Sequence, residues 1–174
     1  MIKSHLLNQI IQPLAFAPIA FALFSGIGFT FGSTEAQTSE EKPLTGVINR
    51  KTLDGKHFPW MAAGRATAKA EFAQHPSETA QVRTALSQTD VEVYFGSWCG
   101  DSQEHVPPFL ALVNAPKSLK LIALDRHKTF PGFVNSAKIE RLPTFIFRRN
   151  GNEIGRITET PTKSILEDTL AILK

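Results

Sequence analysis

The run Val91-Glu92-Val93-Tyr94-Phe95 passes without a linker into Gly-Ser-Trp-Cys-Gly-Asp-Ser, and this junction constrains the fold more than any other part of the chain. Its β-branched and aromatic residues predict a strand over 91–95, stopped at Gly96. A helical segment over 100–114 follows, with Asp101 and Ser102 at its start and Phe109, Leu110, Leu112 and Val113 on its apolar side. A strand that feeds directly into a helix sets Cys99 at the helix N-terminus. Unpaired backbone N–H groups and the positive end of the helix dipole meet there, and both favour a thiolate over a thiol. Ser102, one turn on, is placed to donate a hydrogen bond to the sulfur, and Trp98 to shield it from bulk water. The charge of Asp101 opposes a nearby thiolate.

Cys99 is the only cysteine in the 174 residues. It therefore forms no disulfide within its own chain, and is a reactive thiol, an intermolecular partner or an inert buried residue. The fold has to stand without cross-links. With 42% hydrophobic and 20% charged residues the composition is that of an ordinary globular protein. The net charge is only +3, and basic pairs such as Arg148-Arg149 are too short to form a stripe, so no nucleic-acid partner is expected.

Residues 1–36 differ from the rest. A positive start at Lys3 precedes the uncharged apolar run 14–31, LAFAPIAFALFSGIGFTF, and the small-residue exit Gly32-Ser33-Thr34-Glu35-Ala36. This is the pattern of a secretory signal peptide, with cleavage expected before Gln37. The alternative is an uncleaved anchor, since the apolar run is just long enough to span a bilayer. Either way the remainder is expected to be exported, periplasmic or extracytoplasmic. No cysteine near the exit offers a lipid attachment point.

Residues 37–90 read as an extension and first helices, and 91–174 as the core. In the extension, Val47, Ile48 and Leu53 suggest a short strand or packed turn, and Phe58, Trp60 and Met61 a small apolar cluster, with Phe58 and Trp60 read as core. Residues 62–74 permit a helix. Ser77 is the expected cap of a second helix to about Ser87, with Val82 and Leu86 facing inward. Pro107 and Pro108 are expected to kink or split the helix that follows Cys99. Strands are predicted over 119–124, 144–148 and 154–158, with a short helix over 130–139. Asn150-Gly151 is a strong two-residue hairpin signal. Thr160-Pro161 is the expected start of a last helix whose inner stripe is Ile165, Leu166, Leu170 and Leu173. Crossovers give parallel strands and the hairpin antiparallel ones, so an α/β fold with a mixed sheet is expected.

Trp98-Cys99-Gly100-Asp101-Ser102, Pro107 within the helix, Leu142-Pro143-Thr144 before Phe-Ile-Phe, the Asn-Gly hairpin and the closing helix together resemble the thioredoxin-like superfamily. More narrowly, the WCGDS site resembles a bacterial group of CxxS type. The resemblance covers 91–174. It implies a three-layer fold with a central mixed sheet flanked by helices, a cis peptide before Pro143, and a substrate segment held beside that proline as an added strand. It implies catalytic roles for Cys99 and Ser102, and substrate-binding roles for Trp98, Gly100, Asp101, Leu142 and Pro143. Two departures matter. Ser102 stands where such proteins have a second cysteine, and Val93 where they have a buried acid; Glu92 points to the opposite face.

The expected function is thus a monothiol thiol–disulfide oxidoreductase working through a mixed disulfide at Cys99, with an external thiol to complete the exchange. Its partners would be a disulfide-containing protein or a low-molecular-weight thiol such as glutathione. A monomer is expected and no cofactor or metal is called for; His105 and His127 read as surface residues, since no spacing resembles a metal site. The alternative is a redox-inactive binding module that uses the groove near Trp98 and Pro143. A third reading is a dimer linked through Cys99.

Overall fold

The computed structural model describes residues 43–113 and 116–174. The signal or anchor segment expected over 1–36 lies outside the described residues, as does Asn114 at the expected end of the helix that follows Cys99.

Among the described residues a five-stranded sheet has the order β1-β3-β2-β4-β5. Its strands are β1 (Gly46–Ile48), β2 (Asp90–Phe95), β3 (Ser118–Ala123), β4 (Thr144–Arg149) and β5 (Asn152–Thr158). β2 and β3 are parallel, while the β1–β3, β2–β4 and β4–β5 pairs are antiparallel. The hairpin is as tight as the sequence predicts. Arg149 pairs with Asn152, and the two linking residues, Asn150 and Gly151, have φ of 52° and 81°.

The helices are α1 (Trp60–Phe72), α2 (Pro76–Leu86), α3 (Gly100–Leu112) and α4 (Ile165–Leu173). Their apolar sides join one core with Val91, Val93, Phe95, Phe145 and Phe147 on one face of the sheet. The opposite face carries Tyr94, Ile122, Leu124 and Ile146. It is covered by residues 130–142, where Ala137, Ile139 and Leu142 are buried and Phe130 and Phe133 half-buried. The chain therefore has the α/β architecture with a mixed central sheet.

The second outer layer is irregular, where a short helix was expected over 130–139. Gly132 and Lys138 adopt φ of 84° and 53°, outside the helical region. Asn135 closes the segment with its side chain, accepting from the Ile139 N–H at 2.7 Å and donating to the Ile139 carbonyl at 3.0 Å.

Three helix details also correct the sequence reading. α2 begins at Pro76 rather than behind a capping Ser77, because proline suits the first turn, where an amide hydrogen has no partner. α3 runs unbroken through Pro107 and Pro108. The carbonyls these prolines leave without a helix donor belong to Gln103 and Glu104, both exposed, so water can serve them. α4 starts at Ser164 and not at Thr160-Pro161. The Ser164 hydroxyl accepts from the Glu167 N–H at 3.1 Å and donates to its carboxylate at 3.0 Å. Asp168 meanwhile holds the Thr162 N–H at 2.6 Å, which keeps the preceding residues in a turn. Ser164→Ala is expected to lower the unfolding free energy by about 1 kcal/mol. Urea denaturation checks this, with Thr160→Ala as the near-neutral comparison.

The extension is built into the helix that carries Cys99. A side chain at Gly64 would bring its first carbon to 2.6 Å from Pro107 Cβ, so α1 crosses α3 at a point only glycine allows. The C-terminal carbonyls of α3 would otherwise lack donors. Arg50 donates to the Leu110 and Val113 carbonyls at 2.5 and 2.9 Å. Arg83 donates to those of Leu112 and Ala111 at 3.3 and 3.4 Å. Burial, more than the neighbouring Arg65, holds the Arg50 guanidinium below its ordinary pKa.

Candidate functional site at the end of β2

β2 delivers the chain to a turn that is fastened on both sides. Phe95 accepts from the Leu124 N–H at 2.8 Å, and the Gly96 carbonyl from the Cys99 N–H at 3.1 Å. Gly96 is required here, because a side chain would start 2.7 Å from the Trp98 ring. Gln103 ties the turn to α3 by donating to the Ser97 carbonyl at 2.8 Å.

Cys99 is the N-cap residue of α3, with extended backbone (φ −91°, ψ 123°), and is half-buried. Its carbonyl accepts the first helical bond, from Gln103 N–H at 3.0 Å. The thiol donates to the Leu142 carbonyl at 3.4 Å. Leu142 and Pro143 are buried, and the peptide between them is cis. The position of this loop is fixed from behind. Glu159 N–H donates to the Pro143 carbonyl at 2.7 Å, and Arg141 pairs with the Glu159 carboxylate at 2.6 Å.

The structure brings Trp98, Cys99, Leu142 and Pro143 together, and sets Gly100 and Asp101 on the exposed rim of the helix start. Ser102, in the first turn of α3, has its side chain turned inward. It is fully buried, and its hydroxyl accepts from the Gly96 N–H at 3.2 Å instead of donating to the sulfur. Its work is to hold the turn. Val93 is fully buried in the apolar core beneath. Glu92 faces the other way, to Lys120 and Arg148 at 3.4 and 3.5 Å. The nearest ring hydroxyl on that face, Tyr94, donates to Glu92 at 3.2 Å. Burial first, and then the Glu92 charge, push its pKa up to about 12, so it stays protonated at neutral pH. The sulfur thus has a carbonyl beside it and no acid–base side chain in hydrogen-bond contact among the described residues.

The thioredoxin family profile matches residues 72–171, more than half of the chain. The protein belongs to the thioredoxin family. Over 84 residues it is 31% identical to thioredoxin Y1, chloroplastic, of Arabidopsis thaliana. That match takes in 45% of this chain and 48% of the relative, so the chain spans about half the length of the curated relative it matches. Among solved structures, a protein of unknown function from Pseudomonas aeruginosa superposes with a TM-score of 0.53 at 14% identity, covering 79% of this chain and 97% of that one. The long form of spinach chloroplast thioredoxin f gives 0.38 at 23% identity, over 53% of this chain and 77% of the other. The first likeness, at 14% identity, shows the fold alone.

Sequence reasoning missed Arg126. The guanidinium of Arg126 lies 5.3 Å from the Trp98 ring centre, and the Trp98 indole N–H donates to the Leu124 carbonyl at 3.0 Å. Phe58 is core, as expected, and Trp60, half-buried, packs against that core while also lining a cavity. One signal for Arg126 was available: the loops that follow neighbouring parallel strands emerge at the same sheet edge. The loop after β3 therefore had to lie beside Cys99. No group of His, Cys, Asp and Glu suited to a metal occurs among the described residues.

Proposed function

We propose that the protein is an exported monothiol thiol–disulfide oxidoreductase. Membership of the thioredoxin family supports a redox role in general. The observation that carries the finer reading is the half-buried Cys99 thiol at the α3 N-terminus, facing the Leu142 carbonyl beside Pro143, in a chain with no other cysteine. In the forward step the Cys99 thiolate attacks one sulfur of a disulfide. A new S–S bond forms, the old one breaks, and the departing thiolate takes a proton from water. A second, external thiol then attacks the mixed disulfide and restores Cys99. The backbone beside Pro143 would hold the substrate segment, which fits a disulfide-bearing protein or a small thiol adduct. The apolar run 14–31 supports export.

The test is incubation of the full chain with a neutral disulfide, followed by intact and peptide mass analysis. One adduct on Cys99, removed by added thiol, is expected. A thiol that stays unmodified under conditions that convert free cysteine overturns the reading. The structural engagement of Ser102 with Gly96 and the apolar Val93 favour a second reading, a thioredoxin-fold binding module with Cys99 dispensable. Retention of the cellular role by Cys99→Ala would decide for it.

A further inference from the structure

A cavity of about 370 Å³ opens beside Ser97 and Trp98, the two residues before Cys99, on the side of the turn occupied by the extension. Ser97 and Trp98 form one wall, Trp60 and Pro59 another, and Gln103, His57 and Arg126 supply its polar groups. Among the described residues no carboxylate lines it.

Its walls are fixed before any ligand arrives. Trp60 stands edge-on to Phe58 at 5.8 Å, and Phe58 packs on Phe95 of β2 at 5.7 Å. Trp98 is anchored through Leu124. Arg126 rises from a braced loop in which the Asp125 carboxylate accepts from the His127 and Thr129 N–H groups at 2.9 and 3.0 Å. Among the described residues no carboxylate pairs with Arg126; its contact is the Trp98 face. An exposed cation on an aromatic wall, one residue from a reactive sulfur, is a site for an anion attached to the substrate.

We infer that this cavity is a specificity subsite that takes the carboxylate-bearing half of a low-molecular-weight disulfide, with Arg126 reading its charge. This rests on the exchange role proposed for Cys99. The volume falls in the range of small-molecule sites, roughly 300–1,000 Å³, and the open cleft has room for a ligand fragment. The chemistry is one exchange: Cys99 forms a bond to one sulfur of the disulfide, the S–S bond breaks, and the other half leaves as a thiol. The retained or departing half has its carboxylate held by Arg126 against the indoles.

The test compares initial rates of Cys99 adduct formation with three disulfides in the full chain: oxidised glutathione (anionic), cystamine (cationic) and bis(2-hydroxyethyl) disulfide (neutral). Each is referred to its rate with a free cysteine peptide. The wild type is expected to prefer the anion over the cation, and Arg126→Glu to lower that ratio about fivefold, the scale of an exposed charge pair. The preference should shrink as salt is raised. Equal ratios in wild type and variant overturn the assignment. So does a preference absent with oxidised glutathione and present only with an acidic disulfide peptide, run as a fourth substrate, which would point to a protein substrate. Adducts with the neutral disulfide alongside such a failure leave the exchange role standing. Absence of any adduct, the neutral one included, overturns the exchange role and the subsite together.

Discussion

Replacing Ser102 by cysteine is expected to give the chain a closed dithiol–disulfide cycle that the wild type lacks. Cys99 caps α3 and residue 102 sits in its first turn. Side chains three apart on a helix lie about 5–6 Å apart at Cβ, and rotation of the half-buried cap residue brings the two sulfurs within bonding reach. Ser102 is fully buried, so the new thiol would be hidden from solvent but not from Cys99. The substitution removes the hydroxyl that accepts from Gly96 at 3.2 Å, at a cost of about 1 kcal/mol. In return, an adduct on Cys99 would be resolved within the chain and would no longer wait for an external thiol. Thiol titration after mild oxidation checks the result: both thiols should vanish in monomeric Ser102→Cys and return with reductant. In the wild type the mixed disulfide should persist until thiol is added. Two thiols that remain titratable in the variant would show that the turn holds the residues apart.

That contrast shows what a motif conveys and what it does not. The strand-to-helix junction, the Leu-Pro-Thr segment and the Asn-Gly hairpin were legible because each depends on local chemistry: β-branched residues, a ring-locked φ, a turn that tolerates positive φ. The role of Ser102 was not. Spacing alone places it one turn from Cys99, but the same spacing lets its hydroxyl turn inward to Gly96. Burial decides between the two, and burial is a property of the packed core. Residues 130–139 failed as a helix for a similar reason. Their apolar residues are real and reach the core through Ala137 and Ile139. The Asn135 side chain, however, offers the backbone a competing partner, which periodicity does not register. The α4 cap was legible in principle, since Ser164-x-x-Glu167 is a capping pattern that Thr160-Pro161 overshadowed.

The extension shows the limit most clearly. Residues 46–75 have a weak pattern, yet they determine much about the site. Gly64 sets the α1 crossing on α3, Arg50 closes the far end of α3, and Phe58 packs on Phe95, just before the turn that leads to Cys99. Each acts through a residue about forty or more positions away in the chain, so none has a local signature. The consequence is functional. The helix that presents Cys99 is held at its C-terminal end by cations, favourable for a helix dipole, and at its N-terminal end by the braced turn.

Phe109→Ala is expected to cost about 3–5 kcal/mol, a large part of the stability of a domain this size. Phe109 is fully buried on α3, with its ring centre 4.5 Å from that of Phe145 and 5.8 Å from that of Phe147. Both partners lie on β4, and Phe145 is two residues beyond Pro143. The three rings therefore join the helix that starts at Cys99 to the strand that starts just after Pro143. Truncation leaves a cavity that fully buried neighbours cannot readily fill, so the loss includes the contacts of the rings as well as their transfer from water. Urea unfolding should show the midpoint falling with little change in slope. The functional counterpart follows from the same geometry. With the helix less firmly set against β4, the 3.4 Å approach of the Cys99 sulfur to the Leu142 carbonyl is no longer fixed. Amide exchange at α3 and β4 should then accelerate in the folded state, ahead of global unfolding. A loss below about 1 kcal/mol, with exchange unchanged in α3, would show that the backbone of the turn before Cys99, and not this ring cluster, holds the two halves of the site together.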